Sequence, residues 1–199
     1  MSVSSITMPT HRTASTSAPL LPELAQRWSP RSFDADAGVS DQQLDALLEA
    51  ARWAPSASNT QPRRFVVARR GSHVFDSIVD ALVGFNATWA HNASALVVGI
   101  AETSSVEGDP RPYAEYDLGQ AVAHLSVQAA AEGLATHQMA GVECDKITAT
   151  FDLAENLVPL IVVAVGTADA ADKLPEALAE RENAPRTRLP LEELVLVRS

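Results

Sequence analysis

The chain has 199 residues and 21.1 kDa, 46% of them hydrophobic, which suits one domain with a real core and needs no second one. A formal charge of −10 and a pI near 4.9 exclude general binding to nucleic acid or anionic membranes, since the basic residues gather only in tight groups such as Arg27/Arg31, Arg63/Arg64, Arg69/Arg70 and Arg186/Arg188. One cysteine, Cys144, excludes an internal disulfide framework and fits a cytoplasmic protein, and the longest apolar run, near 93–101, is strand-sized and too short to span a membrane.

Residues 1–19 are rich in Ser and Thr with no apolar signal segment, and read as a flexible tail or as an arm that orders against a partner subunit. Residues 20–26 can form a short helix that delivers Arg27, Trp28, Ser29, Pro30 and Arg31 at its end. Two arginines around a Ser and a Pro suit a phosphate clamp, because each guanidinium offers a planar fork of donors and stays charged. Ser40 and Gln43 form a capping box ahead of Leu44, Leu47, Leu48 and Ala51, so an amphipathic helix runs to about Trp53 and ends at Pro55. Ser56, Ala57, Ser58, Asn59 and Thr60 follow, small or polar residues whose backbone NH groups, hydroxyls and carboxamide can approach a flat heteroaromatic ligand. Gln61 adds a second amide, and Pro62 stiffens the exit into a strand over 64–68.

Further on, the pattern predicts a helix over 73–83 and a strand over 95–101 buried on both faces. An exposed loop or lid follows over 102–112. A helix over 116–132 should end at Gly133, and its wide apolar arc suggests a subunit interface as well as core. A strand over 134–139, a turn at Ala140 and Gly141, a helix over 145–151 and a strand over 158–166 complete the regular elements. Strands alternating with helices imply an α+β or α/β layered sheet. Near the C-terminus Arg186 and Arg188, framed by Pro185 and Pro190, repeat the pattern of spaced arginines beside proline, so the two pairs look like halves of one anion site.

The run APSASNTQP over 54–62 resembles the APSxxNxQPW signature of the nitroreductase family of FMN-dependent NAD(P)H oxidoreductases. The resemblance extends to RWSPRSF at 27–33 and APRTRLPL at 184–191, with the motifs in the family's order. It implies an α+β fold of three-layer α/β/α type and an obligate homodimer with two FMN sites at the subunit interface. Arg27, Trp28, Ser29, Arg31, Arg186 and Arg188 then correspond to the residues that hold the FMN phosphate and part of the ribityl chain. Pro55, Ser56, Ala57, Ser58 and Asn59 correspond to a loop, supplied by the other subunit, that lies along the isoalloxazine ring, and Gln61 and Asn86 to further cofactor positions. Met139, Ala140 and Gly141 correspond to the turn whose amides meet the flavin near N5 and O4. The implied activity is hydride transfer from NAD(P)H through the flavin to a nitroaromatic, quinone or similar small-molecule acceptor, in a ping-pong cycle that needs no protein nucleophile or general base. A specialised relative acting on an enone, an aldehyde or the flavin itself remains open, as does a non-catalytic FMN-storing dimer. Three departures bear on substrate and flavin tuning: Arg63 replaces the usual tryptophan, Trp89 stands where some members have lysine, and Ala140 replaces an acidic residue.

Overall fold

A computed structural model describes residues 12–199; of the arm expected over 1–19, residues 1–11 lie outside the described residues. A four-stranded antiparallel sheet in the order β1-β2-β4-β3 forms the middle layer, with β1 at Arg63–Arg69, β2 at Ala95–Glu102, β3 at Ala135–Met139 and β4 at Leu157–Gly166. The two central strands are apolar on both sides because each side meets a helical layer. Leu96, Val98, Ile100, Val162 and Ala164 enter one core, Ala95, Val97, Ala101, Val163 and Val165 the other.

Helices α2 (Asp41–Arg52) and α4 (Ala114–Ala131) cover the second core, through Leu44, Leu47 and Ala51 and through Leu118, Val122, Leu125 and Ala129. Helices α3 (His73–Asp80), α5 (Cys144–Thr150) and α6 (Glu176–Asn183) cover the first with Phe75, Ile78, Ile147 and Leu178. The fold is therefore α+β in three layers, the form the family resemblance implied, and one of the two the pattern of elements left open. Helix α1 (Pro22–Gln26) and the one-turn α7 (Leu191–Leu194) lie near the two ends of the chain.

Local chemistry fixes the boundaries. The Ser40–Gln43 capping box is formed in both directions and starts α2. Gly133 adopts φ 73°, and the Leu134 N–H reaches the Ala129 carbonyl, which closes α4 in a left-handed C-cap. Gly99 on β2 makes room for its cross-strand neighbour on β4, since a Cβ there would meet Ile161 Cγ2 at 2.7 Å. Helix α3 stops at Asp80, short of the expected residue 83, because Leu82 forms a bridge with Val142 and the Val83 N–H donates to the Gly141 carbonyl at 3.1 Å. The 102–112 loop is exposed at its tip but anchored at its base: Ser104 bridges Pro110, and Arg111 and Arg64 both bind the buried Glu102 carboxylate.

Candidate functional site: an arginine cavity, a braced turn and a strained loop

Both ends of the sequence meet in one cavity of about 220 Å³, lined by Arg12, Arg27, Trp28, Ser29, Arg31, Arg181, Glu182, Arg186 and Arg188 among others. The two proline-framed arginine pairs thus converge from opposite ends of the chain. Six guanidinium groups line the cavity against a single carboxylate, Glu182, which is 2% exposed. Glu182 accepts from the Arg31 N–H at 2.8 Å, with the Arg31 guanidinium 3.5 Å away, and so holds the clamp segment in place. Burial, and then the nearby Arg188 charge, lowers the Arg27 pKa; Arg186 is lowered by burial and then by Arg27, Arg188 and Arg12. The side chains are therefore gathered against their mutual repulsion.

The Arg27 Nε and Trp28 Nε1 groups are buried without a hydrogen-bond partner among the described residues. Such buried donors are costly unless an acceptor completes them. A phosphomonoester supplies several anionic oxygens and is the kind of group this donor set fits.

Strand β3 joins the cavity to the Met139–Gly141 turn. His137 Nδ1 donates to the Pro30 carbonyl at 2.8 Å, a carbonyl being able only to accept, so the arginine segment hangs on the strand that leads into Met139. Its ring lies 4.6 Å from that of Trp89, which stacks in turn on Phe33. Burial, opposed by the Pro30 bond and reinforced by Arg31 and Arg27, lowers the His137 pKa to about 4, so the imidazole is neutral at ordinary pH. Past β3, Met139 is buried and Ala140 exposed. The Gly141 carbonyl accepts from both the Val83 N–H and the Asn86 amide, at 3.1 and 3.3 Å. Gly141 has no side-chain room: an added Cβ would stand 2.9 Å from Asn86 Nδ2. Asn86 and Gly141 are thus brought together, with the Asn86 amide bracing the turn.

The Pro55–Gln61 loop lines no part of the arginine cavity of its own chain. Its backbone is strained, since Ser58, Asn59 and Gln61 all have positive φ, at 50°, 56° and 50°. Left-handed non-glycine residues persist only where their surroundings enforce them, and they concentrate at functional sites. Two buried residues do the enforcing. The Arg63 guanidinium donates to the carbonyls of Arg52, Ala54 and Pro55 at 2.7, 2.8 and 3.4 Å, closing the carbonyl end of α2. Asp117 of α4 accepts the Ala57 N–H at 3.0 Å. Within the loop the Gln61 N–H donates to Ser56 Oγ and the Gln61 amide to the Asn59 carbonyl, which leaves Ser58 and Asn59 as exposed side chains.

Sequence reasoning did not reach Arg12, Glu182, Asp117 or the bracing role of Arg63. The change from tryptophan to arginine after Gln61-Pro62 was visible, and the structure shows its use. Arg12 sat in a Ser/Thr-rich tail and Asp117 in an ordinary helical charge pattern, so neither carried a signal.

Known proteins resemble the chain in sequence and fold. A model described as the nitroreductase family matches residues 24–167. An uncharacterized 15.4 kDa protein of Mycolicibacterium smegmatis is 36% identical over 138 residues, 66% of this chain and 92% of that protein. A Bacillus subtilis protein provisionally named an NAD(P)H nitroreductase, YodC, is 26% identical over 180 residues, 73% of this chain and 87% of its own length. Among solved structures, one described as an oxidoreductase containing FMN superposes with a TM-score of 0.86 at 37% identity, covering 92% of this chain and 93% of its own.

Proposed function

The chain belongs to the nitroreductase family, and from that premise we propose that it is an FMN-dependent oxidoreductase that takes hydride from NAD(P)H and passes it to nitroaromatic, quinone or similar electron-poor acceptors. The observation that carries this reading is the cavity in which guanidinium groups from both ends of the chain surround a buried, unpartnered Arg27 Nε. A dianionic phosphomonoester would relieve the repulsion among those groups and satisfy the orphaned donor in one step.

When bound, FMN supplies the redox chemistry, accepting hydride from the nicotinamide in one half-reaction and giving it up in the other. The chain's own residues bind and orient. Arg27, Arg31, Arg186 and Arg188 would hold the phosphate, with Ser29 beside Arg27 at 3.1 Å. The Met139–Gly141 turn, held by Asn86 and Val83, would face the reacting edge of the ring with backbone amides. His137, neutral and occupied with Pro30, fixes the distance between turn and clamp and moves no proton. No side chain need act as nucleophile or base, because positioning and electrostatics suffice for hydride transfer.

The loop at Pro55–Asn59, with Gln61, would roof the ring in the site of a second copy, making each site composite and the protein a homodimer. Large exposed apolar surface supports this. Trp53, Tyr113 and Tyr116, on the segments that adjoin the loop and its Asp117 anchor, are 71%, 61% and 68% exposed. The outer face of α4 offers the small residues Gly119 and Ala123 to a neighbour.

The test is an anaerobic absorption spectrum of the FMN-loaded protein. NADH or NADPH should bleach the flavin bands, and a nitroaromatic or quinone should restore them. An FMN-loaded protein that neither nicotinamide reduces would overturn the enzymatic reading and leave a storage role.

A further inference from the structure

Arg12 stands apart from the other cavity arginines. It precedes the span 24–167 that matches the family, and it lies in a segment whose sequence reads as an unstructured arm. Nevertheless it is 5% exposed and lines the cavity. Its guanidinium lies 4.2 Å from the centroid of the Trp28 ring, the favourable geometry for a cation over an aromatic face. Its Nη1 donates to the Ala184 carbonyl at 2.8 Å, and its own carbonyl accepts from Arg186. Two residues on, the Ala14 N–H donates to the Ala25 carbonyl at 2.8 Å. One arm residue thus joins the clamp segment at Trp28 to the C-terminal limb at Ala184–Arg186.

Stacking on Trp28 and the Ala184 bond favour this position, but electrostatics opposes it. Glu182, the one carboxylate that lines the cavity, is bound to Arg31, so Arg12 enters a site already rich in positive charge. Its charge helps to depress the Arg186 pKa, the mark of a repulsive neighbour. Like charges at this spacing stay together when an anion shares them and separate more readily when none does.

We propose that Arg12 is an anion-binding residue of the cofactor-phosphate cavity and that the segment 12–20, which it begins among the described residues, is a strap whose docking is coupled to phosphate occupancy. The proposal rests on the reading of this cavity as the FMN phosphate site. Coupling is reciprocal: if the docked arm strengthens phosphate binding by some factor, bound phosphate strengthens arm docking by the same factor.

The Arg12→Gln variant removes the charge and shortens the side chain, so the comparison of a phosphorylated with an unphosphorylated flavin, and not the substitution alone, separates this role from a structural one. FMN and riboflavin, which differ by the phosphate alone, are titrated against wild type and variant by flavin fluorescence. The variant should bind FMN about tenfold to a hundredfold more weakly, the loss of one charge-assisted contact, with riboflavin affinity and apoprotein melting temperature unchanged. In wild type, trypsin cleavage after Arg12 should slow about tenfold or more when FMN, or inorganic phosphate at high concentration, is added, and riboflavin should give no protection. Unchanged FMN affinity in Arg12→Gln, or equal loss of FMN and riboflavin with a lower apoprotein melting temperature, would overturn the proposal and leave the cavity reading intact. A wild-type protein that binds no FMN would overturn both.

Discussion

The arginine cavity and the Pro55–Gln61 loop are both under stress, of opposite kinds. In the cavity the stress is electrostatic and unresolved within the protein: six guanidinium groups and one carboxylate meet across residues far apart in sequence. In the loop the stress lies in the backbone, with three left-handed residues among the four from Ser58 to Gln61, and it is resolved internally by Arg63 and Asp117. The cavity is therefore a place where a ligand adds stability, and the loop a place where the fold has already spent it. Perturbing the loop should weaken the protein without cofactor, whereas perturbing the cavity should weaken only its grip on cofactor.

The largest effect should come from Arg63→Met, which leaves the carbonyls of Arg52, Ala54 and Pro55 without their buried donor. We expect a loss of about 4 kcal/mol in the apoprotein, a fall in melting temperature of about 8–16 °C by calorimetry. A change under about 2 °C would mean that the loop holds itself.

His137 lies on the strand that connects the clamp to the turn, where its titration makes stability depend on pH. Its folded pKa of about 4 lies below the ordinary 6.5, so the unfolded chain binds the extra proton between those values. Its contribution is fully present above pH 6.5 and is lost as pH falls towards about 4. Urea titrations should show about 2–4 kcal/mol disappearing over that window on this account, and His137→Asn should flatten that part of the slope. An unaltered slope in the variant would assign the acid sensitivity to other groups.

Arg27→Ala and Arg188→Ala should each weaken FMN binding by about 1.5–3 kcal/mol, roughly tenfold to a hundredfold, read by fluorescence titration. Apoprotein melting should stay level or rise, since repulsion is removed, in direct contrast to Arg63→Met. The smallest effect is expected for Asp117→Asn, which keeps an acceptor for the Ala57 N–H and loses its charge, about 1 kcal/mol of apoprotein stability by calorimetry.

All four strands and the helices over α2 and α4 were legible because their apolar spacing and caps are local features, as in the Ser40–Gln43 box and Gly133. The order of strands was not legible, since pairing β2 with β4 depends on partners more than fifty residues apart. The short α6 escaped for a different reason: its sequence, EALAEREN, is mostly polar, and only Leu178 and Glu182 are buried. Missing α6 meant missing Glu182, the carboxylate that seats Arg31. Within the candidate site, the proline-framed arginine pairs pointed to the cavity, because guanidinium groups fixed at turns near both ends of an acidic chain suit one shared anion. Arg12 gave no such sign, for nothing in a Ser/Thr-rich arm distinguishes an arginine that docks from one that does not.

The account turns on whether the cavity is built for a phosphate attached to a flavin. Parallel titrations of the apoprotein with FMN and with riboflavin test this most directly, because the two ligands share the ring and differ in that group. FMN should bind at least about a hundredfold more tightly at low ionic strength, with the difference shrinking as salt rises. Equal affinity for the two ligands at every salt concentration would contradict it.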